Sequence, residues 1–70
     1  MRRQSVTSSN LASVGYDPSS QTLEVEFQNG SVYRYFNVPQ TIYEGLMRAS
    51  SSGSFLASQV KDRFPYSRVA

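Results

Sequence analysis

Two alternating segments separated by Asn29-Gly30 constrain this chain more than any other feature. Leu23, Val25 and Phe27 alternate with Glu24 and Glu26, and the run Val32-Tyr33-Arg34-Tyr35-Phe36 follows the glycine. Period-two alternation is the pattern of a half-buried strand, and Asn-Gly between two such runs predicts a β-hairpin. The register decides which side chains are core. A two-residue turn places Arg34 on the face of Leu23, Val25 and Phe27. A three-residue turn, Gln28-Asn29-Gly30 with Gly30 in the left-handed region, shifts the pairing by one. Tyr33 and Tyr35 then join the apolar face, and Arg34 falls opposite Glu24, where opposite charges pair favourably. Because a one-residue slip would turn the strand over, the hydrophobic pattern selects the three-residue turn.

The flanks extend this unit. Residues 10–16, Asn-Leu-Ala-Ser-Val-Gly-Tyr, read as a first strand with weaker alternation, and Gly15 hints at a bulge or a close backbone approach. Asp17-Pro18-Ser19-Ser20-Gln21 reads as a turn. Its brevity favours antiparallel pairing and a three-stranded meander. Residues 1–9 are polar and read as a flexible arm, with Val6 available as a lone anchor.

Pro39 suits the first turn of a helix. Over residues 40–49, Ile42, Leu46 and Ala49 recur at helical spacing, with Tyr43 and Met47 widening the stripe. Gly45 in that stripe costs about 1 kcal/mol relative to alanine unless close packing needs the missing side chain. The serine-rich run 50–54 reads as a linker and helix cap, with Ser52 or Ser54 capping. A second helix is expected over residues 54–63, carrying Lys61 and Arg63 in its last turn, where cations suit the dipole. Phe64-Pro65 stops it. The expected fold is therefore α+β: a three-stranded antiparallel meander followed by two helices packed on one face, with residues 10–70 as one domain.

A chain of 70 residues buries only about 60% of its unfolded surface. It has no cysteine and no histidine, so neither disulfides nor thiolate or imidazole chemistry is available, and no metal site or cofactor is expected. Five tyrosines and four phenylalanines must supply much of the core. No apolar run approaches a membrane span, and Arg2 and Arg3 precede no apolar segment of the kind a secretory signal needs. The expected location is the cytoplasm, without contact to a membrane.

The chemistry-bearing residues point away from catalysis. Glu24 and Glu26 share a strand face, but a solvated face balanced by Arg34 explains them better than a catalytic pair does. Tyr33 and Tyr35 are better explained as core than as a platform for stacked bases. On the opposite face, Val32 and Phe36 are the exposed apolar candidates for a protein contact. Free amides before the second helix are read as cap and linker in preference to an anion site. Lys61, Arg63 and Arg68, with Tyr66 among them, make a nucleic-acid footprint; a dipole-matched helix end accounts for Lys61 and Arg63 equally well. The net charge of +2 is far from the dense field of a basic tail.

Several of these residues also carry a family resemblance. Ser8-Ser9, Val14-Gly15-Tyr16-Asp17, the strand from Leu23 to Phe27 leading to Gly30, Tyr33-Arg34-Tyr35, Val38-Pro39, Ala49-Ser50, Gly53 and Phe64-Pro65-Tyr66 occur in this order. Over nearly the whole chain, from Val6 to Val69, it resembles the KTSC domain, named after the C-terminus of some lysyl-tRNA synthetases and found alone in bacterial proteins. The resemblance implies a free-standing domain of uncharacterised function and suggests RNA binding by association; it supplies no catalytic or binding residues. The expectation is a non-enzymatic binding module. Its partner is either RNA, through Lys61, Arg63, Tyr66 and Arg68, or another protein, through Val32, Phe36 or a free sheet edge.

Overall fold

Leu23 pairs with Tyr35, Glu24 with Arg34, Val25 with Tyr33 and Glu26 with Val32, the register of the three-residue turn. The turn itself is closed by two backbone bonds, Phe27 N–H to Ser31 O at 2.8 Å and Gly30 N–H to Phe27 O at 2.9 Å. Gly30 adopts φ 92°, a conformation that costs glycine little and other residues much. This is the computed structural model of the chain, and it describes residues 1–70.

Around the hairpin the elements run β1 (Arg3–Ser5), β2 (Leu11–Asp17), β3 (Thr22–Phe27), β4 (Val32–Tyr35), α1 (Gln40–Arg48), α2 (Ser52–Gln59) and β5 (Tyr66–Arg68). All strands belong to one antiparallel sheet in sequential order. The sheet has five strands where the sequence pattern predicted three. Arg3–Ser5, placed by that pattern in a flexible arm, pairs with β2, and Tyr66–Arg68 pairs with β4. Both additions are three residues long and exposed throughout. They carry no hydrophobic alternation because they hold on by backbone bonds to a neighbour already formed.

Strand β2 begins with a bulge. Leu11 pairs with Phe27 but Ser13 pairs with Glu26, leaving Ala12 as the extra residue. The bulge puts Leu11 and Val14, three apart, on the same inner face, which explains the weak alternation of this segment. Gly15 is the close approach: a Cβ there would lie 2.7 Å from the Arg2 carbonyl oxygen and 2.9 Å from Arg3 Cγ.

Helix α1 follows Pro39, which stands at its N-cap with φ −64° and ψ 150°. At Gly45 a Cβ would meet the Phe55 ring at 2.8 Å, so the missing side chain is where the two helices touch. Helix α2 starts and stops earlier than its sequence pattern predicted. Ser51 is the cap, its hydroxyl accepting from Ser54 N–H at 3.3 Å. The helix ends at Gln59, and Asp62 reverses the chain at φ 66°. Lys61 and Arg63 thus lie beyond the last turn. Aspartate tolerates the left-handed region, so the chain has already turned before Phe64-Pro65 is reached.

Both helices cover the face that carries Leu11, Val14, Leu23, Val25 and Tyr35, completing a buried cluster with Val38, Leu46, Leu56 and Val60. Val6 packs against this cluster and donates its N–H to Ala12 O at 3.2 Å. No helix is long and apolar enough to cross a membrane.

Candidate nucleic-acid interface

Strand pairing assembles the site. Directly opposed residues of an antiparallel pair project to the same face, so the pairs Tyr35–Tyr66 and Tyr33–Arg68 align three tyrosines and an arginine on the helix-bearing side. Phe27 closes one end, its ring at 87° to that of Tyr33 with centroids 5.5 Å apart. Tyr66 is tilted 42° to both Tyr33 and Tyr35, at 5.7 and 5.8 Å. These rings form one wall of a groove of about 330 Å³. The C-terminal part of α2 and the turn after it form the other, through Leu56, Ala57, Lys61 and Asp62. Asn10, Asn29 and Ser31 add polar groups to its lining.

The groove grades from dry to wet. Tyr35 is 4% exposed and Tyr66 is 58% exposed. Burial pushes the Tyr35 phenol above its ordinary value, and the charges of Tyr33, Tyr66 and Asp62 push the same way. The neutral phenol is the form this site holds.

The basic cluster foreseen in the sequence divides in space. Lys61 and Tyr66 line the groove, and Arg68 stands beside it opposite Tyr33. Arg63 turns away: its Nε donates to the Ser58 carbonyl at 2.9 Å, where a cation complements the end of α2. Arg68 Nε donates to Ala70 O at 3.0 Å. Ion pairs engage Arg3 and Arg34, both with Glu24, and Arg48 with Glu44.

On the other side of the sheet Val32 is not the exposed contact expected of it. Only 9% of it is accessible, because the chain end pairs alongside, with Val32 N–H to Ala70 O at 3.1 Å and Val69 N–H to Val32 O at 2.8 Å. Phe36 is half-buried and borders a shallower depression with Arg2, Tyr16, Pro18 and Arg34. Glu24 accepts from Arg34 Nε at 2.8 Å, and Glu26 accepts from Ser13 Oγ at 2.8 Å. Both carboxylates are thus engaged, and they lie on the face away from the groove.

Asp62, Asn10 and the second Glu24 partner, Arg3, were not evident from the sequence. A left-handed aspartate after a helix leaves a weak trace in the Lys-Asp-Arg run, whereas nothing local connects Asn10 to residues 61–66.

A five-stranded antiparallel sheet, two helices on one face and an aromatic groove with cations beside it define a small α+β domain built around a surface groove. Comparison with known proteins specifies it further: the model of the KTSC domain matches residues 7–64, and the chain belongs to that family. An uncharacterised protein of Stutzerimonas stutzeri is 49% identical over 53 residues, covering 76% of this chain and 75% of that protein. A lysine–tRNA ligase of a Nostoc species is 42% identical over 55 residues, which cover 79% of this chain and 10% of the ligase. The crystal structure of a KTSC domain protein from Yersinia pestis superimposes with a TM-score of 0.93 at 36% identity, over 99% of this chain and 97% of that one.

Proposed function

We propose that this domain is a non-enzymatic RNA-binding accessory module acting in the cytoplasm. The observation that carries the reading is that Lys61 and Tyr66 line one groove while Arg68 stands on the same face of β5 opposite Tyr33, away from Glu24 and Glu26. Similarity to a segment of lysine–tRNA ligases supports the same partner class. Non-enzymatic action accords with a chain that has neither histidine nor cysteine and whose strand carboxylates are held by Arg34, Arg3 and Ser13.

Two or three phosphates are the most that Lys61, Arg68 and a displaced Arg63 would neutralise. On a single strand the logarithm of affinity should then fall with the logarithm of salt at a slope of about −2. Affinity of the isolated domain is expected in the micromolar range or weaker, with tethering to a second site supplying the rest. Fluorescence anisotropy with two unrelated RNA sequences at several salt concentrations tests this. Lys61→Ala with Arg68→Ala should weaken both sequences alike, because phosphate contacts position without specifying. Absence of binding, with concentration-dependent NMR shifts at Phe36 or the β5 edge, would replace this reading with a protein contact.

A further inference from the structure

We infer that the groove between β5 and α2 seats a single unstacked nucleobase of a single-stranded RNA, with Tyr66 as its stacking partner. The inference rests on the RNA-binding reading above and assigns the ligand chemistry of the groove.

Ring geometry is the first reason. Tyr33 and Tyr35 are stacked within 22° of parallel, with centroids 6.5 Å apart, and they back the groove at its buried end, where Tyr35 is 4% exposed. Tyr66 is tilted 42° to both of these rings from the edge strand, and its backbone is held by pairing with Tyr35. An aromatic ring that is 58% exposed yet fixed by a sheet offers a π-face at little cost in conformational entropy. Base–aromatic stacking uses such a face whatever the base.

Polar groups are the second reason. The Asn10 and Asn29 amides each carry donors and an acceptor, Ser31 a hydroxyl and Asp62 a carboxylate, all at the lining. Asn29 Oδ1 already accepts from Ser31 N–H at 3.0 Å, which orients its amide. The edge of a base has matching donors and acceptors.

Charge is the third. Lys61 lines the groove with Tyr66, and Arg68 follows Tyr66 on the same face of β5, opposite Tyr33, so two cations accompany the stacking ring. A nucleotide within a strand has a phosphate on each side of its base. A duplex offers no such base, since its bases are stacked inside.

The test uses the full chain and a single-stranded RNA octamer carrying 2-aminopurine, with a hairpin-free duplex of the same sequence as comparison. The expected results are a fluorescence change on binding the single strand, at least tenfold weaker binding of the duplex, and ring-proton shifts of Tyr33 and Tyr66 in the wild-type protein. Tyr66→Ala should weaken binding on the order of tenfold, while Tyr66→Phe, which keeps the ring, stays within about twofold. Equal loss in both variants would overturn stacking in favour of a hydroxyl contact. RNA bound equally by wild type and Tyr66→Ala, or duplex bound as well as single strand, would overturn the groove assignment and leave RNA binding in place. No RNA binding under low salt would overturn both. The wild-type ring shifts decide the matter even if Tyr66→Ala does not fold.

Discussion

Arg3 and Glu24 lie on strands that do not pair with each other, yet Arg3 Nε stands 3.5 Å from Glu24 Oε2. The strand between them presents Gly15, which is paired with both. With no side chain in the way, the Arg3 stem crosses over Gly15 and meets a carboxylate already held by Arg34 from the other side. One acid thereby joins three strands, β1, β3 and β4, across the outer face. Only 9% of the Glu24 side chain is accessible, and a carboxylate so little hydrated requires such partners.

Gly15→Ala should therefore loosen β1 specifically. A Cβ would collide with the Arg2 carbonyl oxygen, a backbone atom that moves only if the strand moves. We expect a loss of about 1–3 kcal/mol in thermal unfolding. Hydrogen exchange should show lost protection confined to residues 3–5 and their partners on β2. Unchanged protection at β1 would show that the strand tolerates the methyl group.

Replacing Tyr35 by alanine empties a site in the middle of the cluster, where the ring is 4% exposed. The expected cost is about 3–5 kcal/mol, a large share of the stability of a domain this small. Denaturant unfolding measures it. A midpoint close to that of the wild type would contradict both the hairpin register and the packing.

Two tyrosines couple stability to alkaline pH. Burial raises the Tyr35 phenol, with Tyr33, Tyr66 and Asp62 adding to the shift, and burial followed by Asp17 raises that of Tyr16. In the unfolded chain both phenols ionise near pH 10. Their contribution is fully present below that pH and is lost as pH rises through the higher folded values, since the unfolded state releases its protons first. Unfolding followed between pH 8.5 and 11 should show falling stability, and Tyr35→Phe should flatten the slope.

Ser51 caps α2 and Ser54 does not. Ser51→Ala should cost about 1 kcal/mol, because the Ser54 amide loses its acceptor. Ser54→Ala removes only a hydroxyl bond to Ser51 Oγ at 3.0 Å and should cost a few tenths of a kcal/mol at most. Thermal midpoints of the two variants decide between these serines, which look alike in the sequence.

The contrast between Ser51 and Ser54 is typical of what could be read locally. Helix α1 was legible because Pro39 and the apolar stripe at Ile42 and Leu46 act within one element. Helix α2 was legible in existence but displaced by two residues at its start and four at its end, because any serine of the run satisfies the capping chemistry. The candidate site was half legible. Lys61, Tyr66 and Arg68 were visible as a cluster in the chain, but Arg63 left it for the Ser58 carbonyl, and Val32 was covered by the chain end.

By itself the sequence determined the hairpin, its register and the faces of Tyr33, Tyr35 and Arg34. Alternation and the left-handed requirement at Gly30 are properties of consecutive residues, and a slip would expose Leu23 and Val25 to water. Only the tertiary structure decided that β1 and β5 exist, that Arg3 passes over Gly15, and that Asn10, Asp62 and Tyr66 share one groove. Those facts depend on backbone bonds between distant segments and on which surfaces remain uncovered once the core has closed. A three-residue edge strand contributes too little apolar surface to announce itself, so it appears only when its neighbour is already in place.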